Sequence, residues 1–303
     1  MQYSVRHSTT YQYSDPVVIC QNQAHLSLRN TPQQTVAQSV LLISPEPVIR
    51  RTWYDPFGNE VCYFSIEEPL HELDVTARSV VDVRVPELPD LDRTPAWDEV
   101  RRQLQQPLTD ELRLISQFCF ESPFITFLPE ADEYAFASFE PGRPLLSAVM
   151  DLTQRIFSEF KYSPAATAIS TPTREVLESR AGVCQDFAHL QITCLRSLGL
   201  AARYVSGYLL TDPPPGQPKL TGADASHAWL SVYCPGTGWV DFDPTNSCIP
   251  QTRHVTIAWG RDYSDVTPLK GVFFGGGQQS LNVAVDVIPL DAEPSQLPVE
   301  YSN

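Results

Sequence analysis

The stretch RAGVCQDFAHL, Arg180–Leu190, sets a cysteine just after a glycine and at the head of an apolar repeat. Phe187, Leu190, Cys194, Leu195 and Leu198 recur at helical spacing, and Gly199 closes the run. The pattern predicts a helix beginning near Cys184, with Cys194 on its buried stripe as a core thiol. Gly182 is expected to end the preceding short helix, which contains REVLESR, by taking a positive φ. Cys184 then lies in a first turn, where unpaired N–H groups and the helix dipole favour negative charge. A free thiol has a pKa near ~8.5 and is mostly protonated at neutral pH, so this placement favours a reactive thiolate. A neighbouring imidazolium would favour it more strongly.

Six histidines are available to supply one. His7, His25 and His71 fall in a β-rich first part. His189 shares the helix with Cys184, five residues on, and is expected to point away as a surface residue. His254 follows an ordinary polar loop. His227 opens HAWLSVYC, a strand with clean alternation, after the Pro-rich segment TDPPPGQPKLTGADAS. His227, Trp229, Ser231 and Tyr233 share one face of it. The next strand, WVDFD, follows a Pro-Gly-Thr-Gly turn and carries Asp241 and Asp243. A five-residue connection, Cys234 to Gly238, puts Tyr233 opposite Trp239 and Ser231 opposite Asp241. Asp243 is then one diagonal step from His227 and on its face. A four-residue connection would turn both carboxylates to the wrong side. The predicted set is therefore Cys184, His227 and Asp243: nucleophile, proton shuttle and orienting carboxylate. Asp241 is expected at the surface or capping a turn.

At 303 residues the chain is long for one core, and two domains are the natural expectation. Residues 1–85 read as an antiparallel β-sandwich. LDVTARSVVDVRV (Leu73–Val85) alternates as a half-buried strand, and DPFGNE turns between VIRRTWY and VCYFSI as a hairpin. PELPDLDRTP breaks the pattern, so residues 86–140 read as linker and helices. Leu145, Val149, Leu152, Ile156 and Phe160 repeat at helix spacing, and residues 141–303 read as an α+β catalytic unit ending in the strand LNVAVDVIPL. The net charge of −15 disfavours nucleic acid and anionic membrane as partners. Apolar runs are too short to span a bilayer, and the opening MQYSVRHSTTYQYS reads as a strand and not a signal peptide. Seven scattered cysteines without a CxxC pair predict neither zinc knuckle nor disulfide framework, which fits a reducing, cytoplasmic location.

GVCQDFAHL, ADASHAWLSVYCPGTGWVDFDPTN and GRDYSDV resemble the bacterial transglutaminase-like proteins, a branch of the papain-like cysteine enzymes. The first part, including YDPFGNEVCYFSIEEPLHELDVTARS, resembles the β-rich region that precedes their catalytic domain. The resemblance implies a nucleophile at a helix N-terminus packed on an antiparallel sheet. It implies Cys184, His227 and Asp243 as the triad and no cofactor. It also implies acyl transfer through a thioester on a peptide or amide substrate. Water as acceptor makes a protease or amidase, an amine makes a transamidase, and a third option is a binding module without catalysis. Hydrolysis is the expectation. No calcium loop is evident, and Cys184, His227 and Asp243 alone offer no fourth metal ligand. Tyr162, in FKYSPAAT, is a candidate oxyanion donor beside the Cys184 backbone N–H. Asp186 and Asp224 lie close to the set in sequence and are read as a first-turn charge and a loop turn.

Overall fold

The computed structural model describes residues 1–212, 222 and 224–290. Most of the Pro-rich segment ahead of His227 lies outside them. The first part is built on β1 (Gln2–Ala24), a long strand with neighbours on both edges. β2 (Gln34–Ser44), the hairpin β3 (Ile49–Tyr54) and β4 (Glu60–Ile66), and β5 (Leu70–Val83) follow it. The hairpin turn is held by Asp55 Oδ1, which accepts from the N–H groups of Phe57 and Asn59 at 2.8 Å each. In β5, Leu73, Val75, Ala77, Val81 and Val83 are buried as the alternation predicts, whereas Val85 lies past the strand end and is exposed.

The middle of the chain carries α1 (Trp97–Gln105), α2 (Asp110–Ser116), α3 (Pro129–Phe136) and α4 (Leu145–Glu159). Short parallel strands β6 (Lys161–Tyr162) and β7 (Ala181–Gly182) flank α5 (Thr173–Ser179). Then come α6 (Cys184–Ser197), β8 (Ala202–Leu209), β9 (Ala225–Cys234), β10 (Gly238–Phe242), β11 (His254–Gly260), α7 (Tyr263–Val266), β12 (Leu269–Gly275) and β13 (Gln279–Pro289). Strands β10-β9-β8-β11 form a four-stranded antiparallel sheet in that order. α6 packs on β8 and β9, and its Leu190, Cys194 and Leu195 share one core with Ala228, Leu230 and Val232 of β9.

The β-rich part is one continuous seven-stranded sheet, not two separately built layers. Both C-terminal strands belong to it. The first half of β1 lies between β5 and β13, and its second half between β4 and β12. Residues from β2, β4 and β5 share a core with Val17, Cys20 and Ala24 of β1, so the two arms fold onto each other in a sandwich-like arrangement.

This sheet also holds the second one in place. β11 is an edge strand, whose backbone groups need covering. Gln34 accepts from Thr256 N–H and donates to Thr256 C=O, both at 2.8 Å. Asn59 does the same for Trp259, at 3.0 and 2.8 Å. Two amide side chains thus replace part of a fifth strand and fix β11, with His254 at its start.

Candidate active site

Cys184 opens α6 and is half-buried. The turn before it differs from the expectation: Arg180, not Gly182, takes the left-handed conformation that ends α5, with φ 53°. Gly182 is needed for closeness instead. A Cβ there would lie 2.9 Å from Cβ and Oδ2 of Asp186. Asp186 Oδ2 accepts from Val183 N–H at 2.8 Å and Thr167 Oγ1 at 2.6 Å. This carboxylate caps the helix from within the first turn, and it is buried, not a solvated charge. β6 pairs Tyr162 with Gly182, two residues before the thiol. Burial first, then the charges of Cys184 and Asp186, raise the Tyr162 pKa, so its exposed phenol lies within electrostatic reach of the sulfur.

The register of β9 and β10 is the five-residue solution. Gly238 pairs with Cys234, Trp239 with Tyr233 and Asp241 with Ser231. Asp243, one residue beyond β10, reaches His227: Nε2 lies 2.7 Å from Asp243 Oδ2. His227 is buried, which opposes its charge, but the Asp243 carboxylate and a hydrogen bond to Cys184 outweigh this and push its pKa up to about 10. With Nε2 committed to Asp243, Nδ1 is the nitrogen left to exchange a proton with the thiol. Cys184, His227 and Asp243 are therefore brought together in the predicted order.

Asp243 is fully buried, which alone would raise its pKa. Donors reverse that. His254 Nε2 and Asn246 Nδ2 also contact Oδ2, at 3.0 and 2.7 Å, and the N–H groups of Thr245 and Asn246 bond Oδ1 at 2.9 and 3.2 Å. Together with His227 they hold the carboxyl well below the usual range.

Four side chains differ from what the sequence leads one to expect. His254 is not an ordinary loop residue but a second imidazole on Asp243. Asp241 is not a surface charge: its Oδ2 accepts from the fully buried Trp229 Nε1 at 2.9 Å. Trp229 in turn lies against both His227 and His254, with ring centroids 5.9 and 5.3 Å away. His189 is buried, stacked on Phe124 and against Tyr204, and its Nε2 accepts from Tyr263 N–H at 3.2 Å. Burial lowers its pKa to about 4 and keeps it neutral. Asp224, read as a loop turn, is likewise buried. It accepts from Thr211 Oγ1 at 2.6 Å and from Val287 N–H at 2.7 Å. Asn246, absent from the expected set, does carry a sequence signal, since Asp-Pro-Thr-Asn is an Asx-turn composition.

His227, Asp243 and His254 are also close enough, within 4.8 Å of one another, to be weighed as ion ligands. His254 supplies a ligand that the sequence argument lacked. Two ligands of one tetrahedral zinc stand ~3.3 Å apart for bonds of ~2.0–2.1 Å, whereas the nitrogens sit 2.7 and 3.0 Å from one oxygen. These are hydrogen-bond lengths.

Residues 134–244 match the core of the transglutaminase-like superfamily, and residues 3–82 match the bacterial transglutaminase-like N-terminal region. An uncharacterized protein of Mycobacterium tuberculosis is 40% identical over 300 residues, covering 96% of this chain and 94% of that protein. The chain belongs to the transglutaminase-like superfamily. A Mycobacterium leprae protein, also uncharacterized, is 32% identical over 290 residues and is covered to 98%. A protein-glutamine gamma-glutamyltransferase of Pseudomonas aeruginosa is 29% identical over 151 residues, 48% of this transglutaminase-like chain and 22% of that enzyme. The crystal structure of a candidate cysteine protease from Cytophaga hutchinsonii superimposes with a TM-score of 0.70 at 22% identity, covering all of this chain and 94% of that one. It shares the fold: a mixed α/β architecture with a large antiparallel sheet and a transglutaminase-like core. Among the described residues, no helix is long and apolar enough to cross a membrane.

Proposed function

We propose that this chain is a cysteine hydrolase that cleaves peptide or amide bonds through a thioester on Cys184. The observation that carries the reading is the hydrogen-bonded line from Cys184 through His227 to Asp243 at a helix N-terminus. Cys184 Sγ, as thiolate, attacks the carbonyl carbon. His227 gives its Nδ1 proton to the departing amine, and the thioester remains. Water then loses a proton to Nδ1 and attacks the thioester. The tetrahedral adduct collapses, the acid leaves, and sulfur departs as thiolate, which restores the starting thiolate–imidazolium pair. Asp243 orients the imidazole and stabilises its charged form each time that form arises. The Cys184 N–H, free of an intrahelical acceptor in the first turn, and the Tyr162 hydroxyl serve the oxyanion.

Water is favoured as acceptor because it stands at roughly 55 M, and an amine wins only with a positioned site of its own. The two carboxylates suited to attract an ammonium, Asp186 and Asp224, are committed to internal hydrogen bonds. Seven free cysteines and an acidic surface fit a cytoplasmic enzyme acting on peptides or proteins, not on nucleic acid or membrane.

The test has two stages. Iodoacetamide near neutral pH followed by peptide mapping should mark Cys184 first. Burial raises the thiols of Cys20, Cys119, Cys194, Cys234 and Cys248. Even labelling of all seven would remove the nucleophile assignment. A peptide library with a millimolar primary amine should then give hydrolysis products that vanish in Cys184→Ala. A dominant amine adduct would make the chain a transamidase.

A further inference from the structure

A cavity of about 510 Å³ lies where the four-stranded sheet meets the β-rich part. Its wall includes His254, Trp229 and Asp241, but neither Cys184 nor His227. Arg203, on β8, also lines it. This side chain is only 9% exposed, yet among the described residues it makes no hydrogen bond and no ion pair, and its Nε is closed off without a partner. Asp241 attracts it through space but spends Oδ2 on Trp229. What holds Arg203 is stacking: its guanidinium carbon lies 4.3 Å from the ring centre of Trp239 and 3.7 Å from that of Trp259.

Stacking of this kind attracts the cation, but it satisfies none of the five N–H donors. A buried guanidinium without acceptors is costly. The two indoles fix its plane and leave its edge for an incoming group, the arrangement that suits a bidentate carboxylate. Val205 pairs with Trp259 and Leu209 with His254, so two of the cavity's lining residues, Arg203 and His254, are backbone positions six residues of strand apart, about 20 Å at ~3.3 Å per residue.

We propose that this cavity binds an elongated ligand with a terminal carboxylate, gripped by Arg203 between Trp239 and Trp259. The site stands apart from Cys184 and does not depend on the reading of that thiol. Two sources supply such a group: the carboxy terminus of a peptide and a long-chain organic acid.

The experiment uses the unmodified protein and follows tryptophan fluorescence and calorimetric heat. One arm titrates an N-acetylated tetrapeptide as free acid and as carboxy-terminal amide. The other titrates decanoate and decanamide. At least one acid should bind ten-fold or more tightly than its amide, and the responding arm names the source. Arg203→Met, checked for folding by circular dichroism, should erase that difference, and Arg203→Lys should keep part of it. Equal binding of acid and amide in both arms would overturn the proposal, whether or not the variants fold. So would full acid preference in folded Arg203→Met.

Discussion

Replacing Asp243 by asparagine isolates the charge at the centre of the candidate site. The carboxylate takes five donors, three on Oδ2 and two on Oδ1. An amide of the same shape offers an acceptor to only one of those groups, and its NH2 meets the other. At least two buried donors lose their acceptor, at ~1–3 kcal/mol each, or about 2–6 kcal/mol in all. Removing one partner of a buried charge pair costs a similar ~3–5 kcal/mol. The loss carries a pH signature. Asp243 has a depressed pKa, so its contribution is present above ~3.9 and lost as pH falls through its folded value. His227 has a raised pKa, so its contribution is complete below ~6.5 and lost as pH rises through about 10. The stability gap between wild type and Asp243→Asn should be widest at about pH 4–6.5 and narrow on both sides, as read by urea unfolding. Histidine side-chain NMR should find His227 titrating near 10 in the wild type. In the variant it should fall by about one to two pH units, because a charge-assisted bond of ~1.5–3 kcal/mol is lost. A gap that does not vary with pH, or a His227 pKa unmoved by the substitution, would refute the reasoning.

His254→Phe removes one of three donors on Asp243 Oδ2 while leaving His227 in contact. Turnover should drop by about ten-fold, far less than the loss in Asp243→Asn, and steady-state kinetics of the two would rank them. Asn59→Ala strips Trp259 of both amide partners, and unfolding should come about 2–4 kcal/mol earlier, with Tm as the readout. Gly207→Ala would drive a Cβ into the Trp229 ring and the Val255 carbonyl oxygen, two groups with no room to yield. A loss of about 2–3 kcal/mol is expected, together with weakened tryptophan near-UV dichroism.

The Cys184–His227–Asp243 set was legible because each step depended on local rules. The helix start follows from periodicity, and the β9–β10 register follows from the length of one turn. His254 was not legible, because its approach to Asp243 depends on β11 docking beside β8 under Gln34 and Asn59 from the far end of the sequence. His189 looked like a surface residue for the same reason. Phe124 and Tyr263, which enclose it, lie more than sixty residues away on either side. Arg180 replaced Gly182 in the left-handed turn because the glycine was already required where Asp186 crowds the backbone. The alternation in LNVAVDVIPL announced a strand, but no periodicity reports which strand it will pair with.

That pairing constrains how the chain is made. Tyr3 of β1 pairs with Pro289 of β13, so β1 waits for a strand made far later. At ~5–20 residues per second, a ribosome needs roughly 15–60 s to deliver the partner. Until then β1 offers an open edge with Tyr11, Thr9 and Val5 in a row, a template for pairing with other nascent chains. The β-rich part comes first in the sequence, yet it cannot close before the residues around Cys184 have been synthesised. Its last pairing therefore forms only after β13 has been made, and such non-local pairing places it among slow folders that depend on protection of that edge.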